Sequence, residues 1–134
     1  MDVFSSTQRS EIMRRVKSKD TQPEILVRKL IRSMGYRYSV NRKDLPGCPD
    51  LVFTKRKRVI FVHGCFWHQH SCGGAALPKS HRDYWMGKQA RNAKRDRRNI
   101  RKLRRSGWKI VVVWECQTRS LDKLSGRLQR FMDQ

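Results

Sequence analysis

The chain has 134 residues, with 32 Lys and Arg against 11 Asp and Glu, a formal charge of +21 at pH 7. That length suits one domain with a compact core and leaves no room for a second full one. Apolar residues make up 37%, and no apolar run approaches the ~20 residues of a membrane span, so a membrane protein is excluded. The opening Met1-Asp2-Val3-Phe4-Ser5-Ser6 lacks the basic start and apolar stretch of a secretory signal, so a cytoplasmic location is expected. Self-repulsion at +21 destabilises a compact state unless a polyanion relieves it, and displaced counterions drive binding to phosphates. Nucleic acid is therefore the expected partner, with a merely solvated basic face as the alternative.

No repeat, low-complexity stretch or linker divides the chain. Residues 1–19 read as a basic arm or helix that contacts DNA, and residues 20–134 as a single domain. Thr21 and Glu24 have capping-box spacing, and Pro23 suits a first turn. Ile25-Leu26-Val27, Leu30-Ile31 and Met34 then form an apolar helical face that Gly35 is placed to end. Tyr36 to Val40 reads as a strand, followed by a turn-rich Leu45-Pro46-Gly47-Cys48-Pro49. Asp50–Phe53 and Val59–Val62 read as a hairpin around a basic tip, Thr54–Arg58. After a loop over residues 63–79, a long helix is expected from Ser80 or His81 to Arg105, with Met86, Ala90, Ala93, Ile100 and Leu103 on its inner face. Trp108–Trp114 is the most apolar run and is expected to be the central strand. Leu121, Leu124, Leu128 and Phe131 mark a final helix. The order α-β-β-β-α-β-α is that of a mixed α/β domain.

Residues 88–105 hold ten Lys and Arg and one acid, Asp96. Like charges at i,i+4 spacing destabilise a helix unless an anion lies alongside, which points to a DNA-backbone contact through cations such as Lys88, Arg95, Arg97 and Arg98.

The chemistry concentrates in His63-Gly64-Cys65-Phe66-Trp67-His68-Gln69-His70-Ser71-Cys72. Cys65, His70 and Cys72, with Cys116 after the last strand, would close a tetrahedral structural zinc site. The spacing is not that of a standard finger, and buried thiols or disulfides are the alternatives; the disulfides lose ground without a secretory signal. Asp50 opens one hairpin strand and His63 ends the other, so antiparallel pairing brings them to one end. A carboxylate and imidazoles beside a phosphate suit metal-assisted phosphodiester hydrolysis, with Mg²⁺ held by the acid and a His taking a proton from water. Plainer explanations are a turn-capping Asp50, a capping-box Glu24 and charge relief by Asp96. Phe66-Trp67 and Tyr84-Trp85 stand among cations, as base-step wedges do, or belong to a small satellite core.

Together these segments resemble the very short patch repair (Vsr) endonucleases of bacteria. The resemblance rests on Phe61 to Cys72, Arg9-Ser10 with Met13-Arg14, and Asp20-Thr21 with Glu24. It extends through Leu45 to Asp50, Arg95-Asp96-Arg97-Arg98, and Gly107-Trp108 leading to Val113-Trp114-Glu115-Cys116. It implies a restriction-endonuclease-like core, a central mixed sheet flanked by helices, with structural zinc on Cys65, His70, Cys72 and Cys116. It implies a Mg²⁺-dependent nick 5′ to the thymine of a T:G mismatch, such as arises when 5-methylcytosine deaminates.

By the same resemblance Asp50 and the backbone carbonyl of Val62 hold Mg²⁺, and His68 is the general base, oriented by Asp96. His63 and Glu24 organise water, and Phe66, Trp67 and Trp85 form the wedge, with Met13 entering from the opposite groove. A monomer is implied, associated with the nucleoid, functionally linked to a DNA cytosine-5 methyltransferase and open to help from a MutL-type repair protein. Val62 stands where Thr is usual and Cys48 where Arg is common, while Gln69 and Ser71 interrupt a run of His. None of these removes a catalytic group. Two other readings of the residues remain, a non-catalytic zinc module for distorted DNA and a restriction-type nuclease acting on paired duplex.

Overall fold

The computed structural model of the chain describes residues 21–65 and 82–134. These contain helix α1 (Gln22–Ser33), strands β1 (Ser39–Val40), β2 (Leu51–Phe53) and β3 (Arg58–His63), and helix α2 (Arg82–Arg105). Strand β4 (Lys109–Trp114), a short 3-10 turn (Glu115–Arg119) and helix α3 (Leu121–Asp133) follow. The element order is the one the sequence predicts. The strands form one mixed sheet in the order β1-β2-β3-β4, with β1–β2 and β2–β3 antiparallel and β3–β4 parallel.

Helices cover both faces of the sheet. On one face, Val27 and Ile31 of α1 and Leu124, Leu128, Phe131 and Met132 of α3 pack on Leu51, Phe53, Ile60, Val111 and Val113. On the other, Leu103 of α2 packs on Val52, Val59 and Phe61, with Ile100, Trp108, Ile110 and Val112 against them. This layering explains one difference from expectation. The apolar run of β4 alternates between two covered faces, so it marks burial on both sides and not a central position. Among the described strands β4 is an edge, and β3 is flanked on both sides.

The first strand is also shorter than predicted. Tyr36 and Tyr38 pack edge-on against Phe53 at 6.5 and 6.4 Å, but the backbone pairs only at Ser39 and Val40. Its partner β2 ends at Phe53, which the register sets opposite Tyr38, so no residue of β2 stands opposite Tyr36 and Arg37. Arg58, which the sequence assigns to the basic tip, belongs to β3 and is buried; its Nε donates to the Phe131 carbonyl at 3.0 Å, satisfying the end of α3.

Helix α2 is rotated from its predicted face. Met86 is 48% exposed and Ala90 is exposed, while Trp85, Gln89, Ala93 and Leu103 are buried. Positions 85, 89, 93, 96, 100 and 103 follow i,i+4 and i,i+3 steps, so one stripe accounts for the inward residues. Asp96 lies on that stripe and is half-buried, whereas Arg95, Arg97 and Arg98 are exposed.

Candidate active site

The site begins with the hairpin. Because β2 and β3 run antiparallel, Asp50, just before β2, lies at the same end as His63, the last residue of β3. The turn ahead of Asp50 is rigidly placed. Gly47 has φ +79, and a Cβ there would meet Phe61 and Asn99 at 3.1 Å, so only glycine lets the loop approach both the sheet and α2. Cys48, also left-handed at φ 50, donates its N–H to the Leu45 carbonyl at 3.1 Å, and Pro49 is fully buried.

Three hydrogen bonds then fix Asp50. Its N–H donates to the Ile60 carbonyl at 3.1 Å, and its carbonyl accepts from the Asn41 N–H at 3.2 Å. Its Oδ2 accepts from the Val62 N–H at 2.6 Å, so the carboxyl reaches across to the neighbouring strand. Asp50 is 9% exposed, and Glu24 of α1, 3% exposed, lies within hydrogen-bonding reach of it. Thr21 caps α1 by accepting from the Glu24 N–H at 3.4 Å, which accounts for that residue's backbone. The Glu24 carboxyl is turned inward instead, where its Oε2 accepts from Arg28 Nη2 at 3.1 Å. The capping-box explanation of Glu24 therefore covers its N–H and leaves its carboxyl to the site.

Burial pushes the Asp50 carboxyl up from 3.8 to about 7, with the charge of Glu24 and a hydrogen bond to it acting in the same direction. The Val62 N–H and the positive charge of Arg28 oppose the rise without cancelling it. Two buried carboxyls at hydrogen-bonding distance need a proton or a cation between them, because both cannot ionise cheaply in a low dielectric. A hard divalent cation, which prefers oxygen ligands, meets that requirement. Asp50 and Glu24 therefore fit a Mg²⁺-type ion on their own chemistry.

His63 is buried, with its ring edge-on to Trp114 at 5.3 Å and tilted against Phe61 at 5.5 Å. It pairs with Trp114 across the parallel β3–β4 ladder. Cys65 follows the end of β3 by two residues, in a turn, and Cys116 lies in the 3-10 turn that follows β4. Cys65 is buried and Cys116 half-buried. Among the described residues no three or more His, Cys, Asp or Glu side chains form a metal cluster. The remaining predicted zinc ligands, His70 and Cys72, lie outside the described residues, as do His68, Phe66, Trp67 and Met13.

The α2 cations predicted to contact DNA lie off the inward stripe of the helix. Arg95, Arg97 and Arg98 are exposed and Lys88 half-buried. Trp85 departs from its predicted place as an exposed wedge. It is 3% exposed and packed inward, because the helix stripe that buries Ala93 passes through it. The exposed aromatic of that turn is Tyr84, 55% exposed, with its ring edge-on to Trp85 at 5.0 Å. The sequence reading missed Arg28, although its i,i+4 spacing from Glu24 is visible in the chain. It also missed the Val62 N–H, since a backbone donor carries no residue-type signal.

No helix among the described residues is long and apolar enough to cross a membrane. Residues 1–74 match the model of the family described as DNA mismatch endonuclease Vsr. A type II nicking enzyme, V.XorIIP of Xanthomonas oryzae pv. oryzae, is 48% identical over 132 residues, covering 98% of this chain and 97% of its own. The type II nicking enzyme V.NmeAIP of Neisseria meningitidis serogroup A is 43% identical, covering 98% and 94%. The DNA mismatch endonuclease Vsr of Escherichia coli K12 is 39% identical over 124 residues, covering 92% and 80%. With a family model matching more than half its length and full-length relatives at these identities, the chain belongs to the Vsr family of DNA mismatch endonucleases.

Proposed function

We propose that the protein nicks the thymine strand 5′ to a T:G mismatch by Mg²⁺-dependent phosphodiester hydrolysis, leaving a 3′-hydroxyl and a 5′-phosphate. The observation that carries this reading is the buried Asp50–Glu24 carboxyl pair at the end of the β2–β3 hairpin that also holds His63. A non-catalytic module for distorted DNA has no use for such a pair, which is costly to bury. The nicking activity in the names of two close relatives supports a cut in one strand over the double-strand cut of a restriction-type nuclease.

Asp50, aided by the Val62 carbonyl and with Glu24 beside it, would hold Mg²⁺, which supplies charge stabilisation at the scissile phosphate. Glu24 also orders water around the site. Arg28 anchors Glu24 at 3.1 Å, and the Val62 N–H orients Asp50. His68 takes the proton from the attacking water, with Asp96 orienting its ring from the inward stripe of α2. His63, held between Phe61 and Trp114, donates or accepts toward water beside the phosphate. Lys88, Arg95, Arg97 and Arg98 bind flanking phosphates, and Phe66 and Trp67 separate the base steps at the mismatch. Met13 enters from the other groove on the arm of residues 1–19.

Cys65, His70, Cys72 and Cys116 form the structural zinc site in this reading, supported by the soft and borderline ligand set of three thiols and an imidazole. The partners are mismatched duplex DNA and, functionally, a DNA cytosine-5 methyltransferase, with a MutL-type protein as helper. The protein acts as a nucleoid-associated monomer. Asp50→Ala is expected to abolish nicking and keep mismatch binding, measured by gel shift and cleavage on one labelled duplex; retained cleavage removes Asp50 from the metal site.

A further inference from the structure

The far end of β4 carries a feature that cleavage does not use. A groove of about 650 Å³ lies along this strand, lined by Arg104 of α2 on one side and by Arg127, Arg130 and Phe131 of α3 on the other. It touches both Ile110 and Val111, whose side chains belong to the two opposite cores. A groove with those walls lies over the strand edge itself. Its residues are from the start of β4, whereas His63 pairs with Trp114 at the strand's other end, so the catalytic end stays open.

The backbone of that edge is turned outward. The Lys109 N–H donates to the Lys57 carbonyl at 2.9 Å, toward β3. In a parallel ladder alternate residues face the same neighbour, so Ile110, Val112 and Trp114 point their N–H groups away from β3. At Trp114 the side chain of Gln117 supplies the acceptor at 2.9 Å, and Arg127 holds that Gln117 oxygen at 2.8 Å. Among the described residues no strand pairs with β4 on this side.

The two walls differ in chemistry. Lys109, Arg127 and Arg130 stand on the α3 side, while the α2 side carries Trp108 and Ile110, both half-buried, together with the exposed Arg104. No acidic side chain lines the groove. We propose that it takes an extended acidic segment of a partner protein, added as a further strand along β4. Its acidic side chains face Lys109, Arg127 and Arg130, and its alternate apolar ones face Trp108 and Ile110. Strand addition supplies affinity through main-chain hydrogen bonds, and the alternating walls supply selectivity. A duplex has the charge for this surface but is too wide to reach backbone groups at its floor.

The test uses the whole protein at physiological salt with a fluorescent peptide of four Glu-Val repeats. The control is a block peptide of four Glu followed by four Val. The alternating peptide is expected to bind about tenfold more tightly, because the block peptide matches only the charge. It is also expected to slow amide exchange at Ile110 and Val112. Lys109→Glu with Arg130→Glu, both exposed positions, is expected to weaken the alternating peptide about tenfold and leave nicking of mismatched duplex unchanged. Equal binding of the two peptides, or unchanged exchange at Ile110 and Val112, overturns strand addition. Loss of duplex affinity in the double variant, matching its loss of peptide affinity, assigns the surface to nucleic acid instead.

Discussion

The buried carboxyl pair makes a prediction about stability that is independent of cleavage. In the protein stripped of divalent metal, Asp50 titrates near 7, against 3.8 for the same group in ordinary surroundings. A carboxyl whose folded value is raised stabilises the fold while it is protonated in both states, below the unfolded value. That contribution is lost as pH rises through the folded value. The metal-free protein is therefore expected to lose stability between about pH 4 and pH 7 from this group, in the opposite sense to an ion-paired carboxylate. The difference between the two values corresponds to a ceiling of about 4 kcal/mol at 1.36 kcal/mol per pKa unit.

Asp50→Asn removes the ionisation and keeps an oxygen to accept from the Val62 N–H. At pH 8 in EDTA the variant is expected to melt roughly 10 °C above the unsubstituted chain, taking ~3 °C per kcal/mol for a domain of this size. At pH 4.5 the two are expected to melt within a few degrees of each other. Mg²⁺ at millimolar concentration is expected to raise the unsubstituted chain at pH 8 and leave the variant unmoved. Thermal melts by circular dichroism across this pH range read all three effects. An Asn variant less stable at pH 8 than the unsubstituted chain would refute the claim that burial of the charge dominates at Asp50.

Three further substitutions probe other parts of the account. Cys116→Ser is expected to release bound zinc and lower the melting temperature, read by metal analysis and calorimetry on the same preparation; full zinc with unchanged stability breaks the ligand set. Trp85→Ala is expected to cost about 3–5 kcal/mol in urea unfolding, as a buried Trp does, and a cost under about 1 kcal/mol would mean that the ring leaves its packed position freely. Gly47→Ala is expected to destabilise by about 1–3 kcal/mol, since the added Cβ meets Phe61 and Asn99 at a positive φ. It should also lower cleavage by displacing Asp50, which single-turnover kinetics can check.

The parts of the fold legible in the chain were those with local signals. Thr21, Pro23 and Gly35 bracket α1 as their cap chemistry requires, and the alternating apolar runs locate the hairpin and β4. Edge position was not legible, because an apolar strand covered on both faces looks the same in the middle of a sheet or at its side. The inner face of α2 was misjudged for a related reason. Trp85 and Gln89 interrupt a helix of cations, and the competing pattern Met86–Ala90 is equally apolar by residue type. Only packing on the sheet chooses between stripes rotated by one residue.

At the site, Asp50 and His63 were brought together by hairpin logic alone. The inward turn of the Glu24 carboxyl was hidden behind a cap motif that explains the same residue with less chemistry. Arg28 and the Val62 N–H, which hold the two carboxyls in place, became visible only in three dimensions.

The central claim is most directly tested with the purified protein, Mg²⁺ and two duplexes that differ at one position, one carrying T:G and the other fully paired, with each strand labelled separately. The account predicts a single nick 5′ to the mismatched thymine, with the G strand and the paired duplex left intact. Equal cutting of the paired duplex, or binding to T:G without any cut across flanking sequences and divalent metals, would contradict it.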